Sequence, residues 1–172
     1  MTVSPPPRPA PDAAPQILDL GAEPDEELLR AFYDELYLPA FPTPEHQEEI
    51  DVWIRELWDA PTASPSRRFL LVAGTDLKDP TRRRLAGGHM FEYYPKSRCG
   101  LLSYIVVDRN SRRQGLGGRL TAKGLSMLSG AARTAGTTLQ VVFAECEDPV
   151  KVGQDHASKA WERLEILSHL GA

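Results

Sequence analysis

Two periodicities alternate along the chain. From Asp25 to Leu38 the apolar residues Leu28, Leu29, Phe32 and Leu36 recur at helical spacing. Pro24 suits a helix start and Pro39 a stop. A second helical stripe, Ile50, Trp53, Ile54, Leu57 and Trp58, follows Thr43-Pro44, which reads as a cap and a first-turn proline; Pro61 and Pro65 end it. Ahead of both lies a short apolar run, Gln16 to Leu20. The period then changes. Phe69 to Ala73 is a buried-type strand, Asp76 to Arg84 a charged turn containing Asp79-Pro80, and Leu85 to Tyr94 a second strand. In that strand Gly87-Gly88 signals a bulge or a close backbone approach. Leu101 to Val107 is a third strand, rich in β-formers. Short links between successive strands predict an antiparallel meander.

The helical period returns with Leu116, Leu120, Leu125, Leu128 and Ala132, and Gly136 is placed to stop that helix. Leu139 to Ala144 is a fourth strand of this series. Asp155 then caps a last helix carrying Ala157, Trp161, Leu164, Leu167 and Leu170, with Gly171 as its stop. Strand, helix, strand, helix after Leu101 is the parallel part of a mixed sheet. The expected class is α/β (mixed α+β), an antiparallel meander followed by a βαβα unit.

Composition narrows the function classes. At 172 residues, 41% hydrophobic and 26% charged, the chain suits one ordinary globular domain. Met1 to Pro15 holds six prolines and excludes helix or central strand. The expected organisation is a disordered or polyproline-like leader over 1–15 and one domain over 16–172. No apolar run reaches the ~18–20 residues of a membrane helix, and the leader has no apolar signal-peptide core. The net charge of -4 argues against duplex nucleic acid as a partner. Cys99 and Cys146 belong to no metal-spaced cluster, and the four histidines are scattered. Two reduced thiols, a cytoplasmic location and no metal are expected.

The chemistry concentrates between Val107 and Leu120. A β-type run ends at Val107, and the chain passes through Arg112-Arg113-Gln114-Gly115-Leu116-Gly117-Gly118 straight into a helix. Glycines let backbone N–H groups approach an anion, and a first helical turn carries unpaired N–H groups and the positive end of the helix dipole. Two arginines add full charges, so a pyrophosphate suits the loop. The glycines also serve as a plain strand-to-helix turn. The spacing gives neither the G-x-G-x-x-G of a dinucleotide fold, since position 120 is Leu120, nor the G-K-[ST] ending of a P-loop.

It does fit Q/R-x-x-G-x-G/A. On Arg112-x-x-Gly115-x-Gly117, on the preceding Ile105-Val106-Val107-Asp108 and on the ending Leu167-Ser168-His169-Leu170-Gly171-Ala172, the chain resembles the GNAT superfamily of acyl-CoA-dependent N-acetyltransferases. The resemblance covers roughly Gln16 to Ala172; the loop is its specific part. It implies acetyl-CoA held between two splayed parallel strands ending near Val107 and Glu145. The backbone of Ile105, Val106 and Val107 would bond the pantetheine arm and polarise the thioester carbonyl. Arg112, Arg113, Gln114, Gly115, Leu116, Gly117 and Gly118 would hold the pyrophosphate.

The implied reaction is transfer of acetyl from acetyl-CoA to an amine, borne by a small molecule or a peptide, by direct attack. A Lys-type ammonium has a pKa of ~10.4 and must lose a proton first, which calls for a carboxylate. Glu145, Glu147 and Glu92 are the candidates, although acidic residues at strand ends are also commonly just solvated. Tyr93, Tyr94 and Tyr104 could line the acceptor site, as could Asp34, Tyr37 and Phe41 of the first-helix region. Ordinary packing accounts for the same residues. An acyl-Cys146 intermediate is disfavoured, because direct transfer needs none.

Two departures from the family pattern keep alternatives open. Leu167 stands where many members carry a tyrosine that protonates the departing thiolate. The family's C-terminal strand pair is also missing, so the domain is expected to be C-terminally short. A truncated fragment, a swapped homodimer and a non-catalytic acyl-CoA-binding or oligomerising module are the competing explanations.

Overall fold

A computed structural model of the protein describes residues 14–59, 64–145, 150, 161 and 165. Five strands form one sheet in the order β1 (Gln16–Asp19), β2 (Arg67–Thr75), β3 (Arg84–Tyr94), β4 (Cys99–Val107), β5 (Val141–Ala144). The first four pair antiparallel, and β5 lies parallel to β4. The expected meander and parallel addition are both present. Helices cover the two faces, so β2 and β3 are buried on both sides and read as nearly unbroken apolar runs.

One face carries the helices that precede β2. Helix α1 (Glu26–Phe32) starts at Asp25, whose carboxylate accepts the Leu28 N–H at 2.9 Å. Pro39 does not stop this helix. A π turn (Tyr33–Tyr37) follows α1 without a break, and Leu38 N–H bonds the Tyr33 carbonyl. The chain then resumes α geometry in α2 (Leu38–Ala40). The longer i→i+5 step carries the ladder past the position where proline has no N–H to give. Thr43-Pro44 likewise starts only a 3₁₀ turn (Pro44–His46), and helix α3 begins later (Ile50–Trp58). These elements bury Leu28, Phe32, Tyr37 and Trp53 against Leu70, Val72 and Met90 of the sheet.

The opposite face carries helix α4 (Leu116–Thr134), whose Leu116, Leu120, Leu128 and Ala132 pack on Phe69, Leu71, Ala73 and Phe91. Gly136, at φ +70°, ends it as its position predicts: its N–H bonds the Arg133 carbonyl and that of Thr137 bonds the Ala132 carbonyl. From α4, Arg119 and Lys123 reach across to β1 and donate to the carbonyls of Pro15 and Ile17 at 2.9 and 3.1 Å.

Two register shifts shape the sheet. Ala73 pairs with Gly87 but Gly74 with Leu85, so Ala86 is an extra residue in β3. The adjoining glycines are close approaches: a Cβ on Gly88 would lie 2.5 Å from Phe32 Cε2 and 2.8 Å from the Leu71 carbonyl. In β4, Met90 pairs with Tyr104 but Phe91 with Leu102, which makes Ser103 the extra residue. The fourth strand of the pattern, read as Leu139 to Ala144, begins only at Val141. Residues 1–13 of the expected leader over 1–15, Cys146, Glu147 and nearly all of the last helix lie outside the described residues. Of that helix's apolar stripe, Trp161 is helical and exposed.

Candidate active site

The parallel pair is short. β4 and β5 are matched only from Cys99↔Val141 to Leu102↔Ala144. Beyond Leu102 and the bulged Ser103, residues 104–107 of β4 keep their partner in β3, and 103–107 have no strand partner on the other side among the described residues. Asp108 N–H bonds the Ala86 carbonyl at 2.9 Å, so backbone alternation turns Val106 toward β3 as well. Ile105 and Val107 therefore present their N–H and C=O groups to the open edge. The Val107 carbonyl on that edge accepts from Arg112 Nε at 3.2 Å.

From Val107 the chain climbs through a 3₁₀ turn (Arg109–Ser111), capped by the Asp108 carboxylate on Asn110 N–H, into the loop. Two residues there adopt left-handed backbone, Arg113 at φ +61° and Gly115 at φ +74°. For a non-glycine residue this conformation costs roughly 1–2 kcal/mol, and the bond from Gln114 Nε2 to the Asn110 carbonyl helps hold it. Gly115 is the N-cap of α4 and offers no capping side chain. The carbonyl of Gly115 receives the Arg119 N–H, so the first-turn N–H groups of Leu116, Gly117 and Gly118 have no acceptor within the helix. A Cβ on Gly115 or Gly118 would meet nothing within 4 Å, and one on Gly117 only Val107 Cγ2 at 3.9 Å. Packing therefore does not demand Gly117 or Gly118, while the left-handed backbone at Gly115 favours glycine by itself. Arg112, Arg113 and Gln114 are exposed beside them, whereas the Leu116 side chain is buried in the core and only its backbone can address a ligand.

A second assembly lies on the other face, under β4. Arg68 and Glu92 are direct cross-strand partners. The Arg68 side chain, 8% exposed, meets three carboxylates: Glu48 at 2.7 Å, Glu92 at 2.9 Å and Glu56 at 3.1 Å. Burial alone would lower the guanidinium pKa, but these carboxylates outweigh it and raise it. Glu48 also accepts Trp53 Nε1–H at 2.7 Å, and its backbone is clasped by Tyr33 and Tyr37 from the π turn. Burial pushes both tyrosine hydroxyls upward. Glu92 takes two further donors, Tyr94 Oη at 2.5 Å and Ser103 Oγ at 3.4 Å. Burial and the Glu92 carboxylate push Tyr94 up to about 12.

The bulge explains how Ser103 arrives there. An extra residue breaks alternation, so Ser103 and Tyr104 point to the same face, Ser103 to Glu92 and Tyr104 to the rings of Tyr37 and Phe41 at 5.0 and 5.1 Å.

Among solved structures, the chain is similar to an aminoglycoside acetyltransferase from an uncultured soil metagenomic sample, in complex with sisomicin. That match has 15% identity, covers 85% of this chain and 86% of the other, and has a TM-score of 0.54. A second aminoglycoside acetyltransferase from an uncultured soil metagenomic sample matches at 18% identity over 78% of this chain and 81% of its own, with a TM-score of 0.51. The chain has the fold of the GNAT acetyltransferases. No family model matches the sequence, and no curated protein matches it.

Within this GNAT fold the residues singled out in the sequence separate into groups. Ile105, Val107 and the Arg112–Gly118 loop form one continuous surface, from the open β4 edge to the start of α4, whereas Val106 is buried with its backbone groups turned to β3. Glu145 is exposed, one residue past the last β5 pair. Glu92 is buried on the α1/α3 side and fully engaged. Tyr93 points to the α4 face, where its hydroxyl meets Thr137 at 3.1 Å, away from Glu92. Tyr37, Phe41 and Tyr104 share one aromatic cluster. Sequence reasoning missed Arg68, Glu48, Glu56 and Ser103. Helical and strand periods rank apolar positions, and nothing in them marks a charged residue as buried.

Proposed function

We propose that the protein is an acetyltransferase that moves an acetyl group from acetyl-CoA to an amine. The observation that carries this reading is the continuity of the open β4 edge with the unpaired N–H groups of α4. An extended arm bonded to Ile105 and Val107 would lead its pyrophosphate onto Leu116, Gly117 and Gly118, with Arg112 and Arg113 beside it. Spacing in the sequence favours CoA over dinucleotides and nucleoside triphosphates at this loop. On this reading an N–H on the β4 edge polarises the thioester carbonyl. Glu145, Glu147 and Glu92 are the carboxylates available to take the amine's proton. The fold shared with two aminoglycoside acetyltransferases supports a small, amine-bearing acceptor.

The test is direct. Acetyl-CoA binding by calorimetry should be abolished in Gly117→Glu, which places a carboxylate on the phosphate seat, while the fold by circular dichroism is kept. Thiol release should follow with at least one member of an amine panel that includes sisomicin. Unchanged binding in Gly117→Glu refutes the donor site; binding without release from any amine refutes the activity and favours a non-catalytic acyl-CoA module.

A further inference from the structure

We propose that Ser103 is a catalytic residue that hands the acceptor amine's proton to Glu92, with Arg68 and Tyr94 as positioning residues behind it. This rests on the acetyltransferase reading above and names the proton's route within that site.

Place comes first. Ser103 is the first residue of β4 beyond the pairing with β5, at the mouth of the open edge. It is the bulged residue, so its hydroxyl is turned out of normal alternation toward Glu92. Their separation of 3.4 Å is long for a hydroxyl–carboxylate bond, as contacts of this kind often are before substrate tightens them. The side chain is only partly buried, whereas Glu92 behind it is 6% exposed. Glu92 has no route to a substrate except through a neighbour, and Ser103 is the neighbour on β4.

Charge comes second. Protonating a buried carboxylate that holds a buried guanidinium normally leaves an unpaired buried charge, which is strongly unfavourable. Arg68 escapes this, because Glu48 and Glu56 remain on it when Glu92 becomes neutral. One guanidinium faces three carboxylates, and the surplus negative charge attracts a proton or an ammonium to this side of β4. Tyr94, pushed up to about 12, keeps its own proton and continues to donate to the second Glu92 oxygen. It orients the carboxylate, so that Oε1 faces both Arg68 Nη2 at 2.9 Å and Ser103 Oγ.

The step balances. The amine nitrogen bonds the acetyl carbon as the carbon–sulfur bond breaks and its electron pair leaves on sulfur. The nitrogen's proton passes to Ser103 Oγ while the Ser103 proton passes to Glu92. Glu92 then returns it by the same hydroxyl to the released thiolate.

Ser103→Ala, Ser103→Thr and Glu92→Gln test the relay, assayed by thiol release with an amine that the parent protein turns over. Ser103→Ala should lower kcat about 10²-fold, the low end for general-base assistance, with acetyl-CoA affinity by calorimetry unchanged. The deficit should persist as pH rises, because an amine that has lost its ammonium proton to solvent still carries the proton that the relay moves. Ser103→Thr, which keeps the hydroxyl, should restore most of the rate; a packing role would be lost in both. Glu92→Gln should match Ser103→Ala, and the serine pair decides the matter if the buried glutamine unfolds the protein. Ser103→Ala with parental kcat at every pH overturns the relay and leaves the acetyltransferase reading intact. A parent protein that turns over no amine overturns both.

Discussion

His89 sits at the centre of the sheet against α4, 1% exposed, with its ring 5.1 Å from Phe91. Its Nδ1 has no hydrogen-bond partner among the described residues, and a Cβ on Gly124 would stand 3.2 Å from it. Burial pushes the imidazole from its ordinary 6.5 down to about 4, opposed only in part by a hydrogen bond with the Leu120 backbone. The folded value lies below the unfolded one, so the unfolded chain takes up this proton first as pH falls. The associated stability is whole above about pH 6.5 and drains away down to about pH 4. Between about pH 7.5 and about pH 5 the shift removes about 2 kcal/mol. That corresponds to roughly 4–8 °C in Tm for a domain of this size. Replacing His89→Leu keeps the volume and removes both the titration and the orphaned nitrogen. At neutral pH it should change stability by less than about 1.5 kcal/mol. Denaturant unfolding of parent and variant at several pH values then isolates the histidine, since other titrations cancel in the difference. A parent-minus-variant difference that stays flat over this interval would falsify the reasoning.

Two further outcomes follow from packing. Gly88→Ala forces a Cβ onto Phe32 and the Leu71 carbonyl, the latter unable to swing aside, and should cost about 1–3 kcal/mol by chemical denaturation. A change under a few tenths would mean that β3 and α1 are farther apart than described. Asp25→Ala removes the α1 cap and should cost about 1 kcal/mol, with Asp25→Ser recovering most of it; equal losses in both would point to a role other than capping.

The sheet is legible in the chain because β-branched and apolar runs alternate with turn residues, and short links leave little topological choice. The loop is legible because glycine spacing is a backbone requirement and so survives without tertiary context. Helix limits are less so. Pro39 reads as a stop, yet a π turn accommodates it, and Thr43-Pro44 reads as a helix start where only one 3₁₀ turn forms. Both segments are joined by Tyr33 and Tyr37 reaching the Glu48 backbone, a contact that no local pattern encodes. The Arg68 cluster is hidden for the same reason. Arg68 alternates correctly with Leu70 and Val72 on the inward face, but its partners Glu48, Glu56 and Glu92 come from three separate stretches. The β4 bulge is invisible as well, since one extra residue leaves no compositional mark.

The reach of Arg119 and Lys123 to β1 bears on how copies of this protein behave toward one another. Leu20 N–H faces β2, so alternation turns the carbonyls of Pro15 and Ile17 outward, along the sheet's outer rim. An uncovered rim of that kind is a template on which another chain's strand adds and aggregation begins. Here both outward acceptors are already taken, and by cations that an incoming strand would have to displace. The side chains that blunt the rim belong to the helix whose first turn forms the proposed phosphate seat. Neutralising them for crystallisation or labelling would therefore trade colloidal stability, and would do so on the element that carries the proposed site.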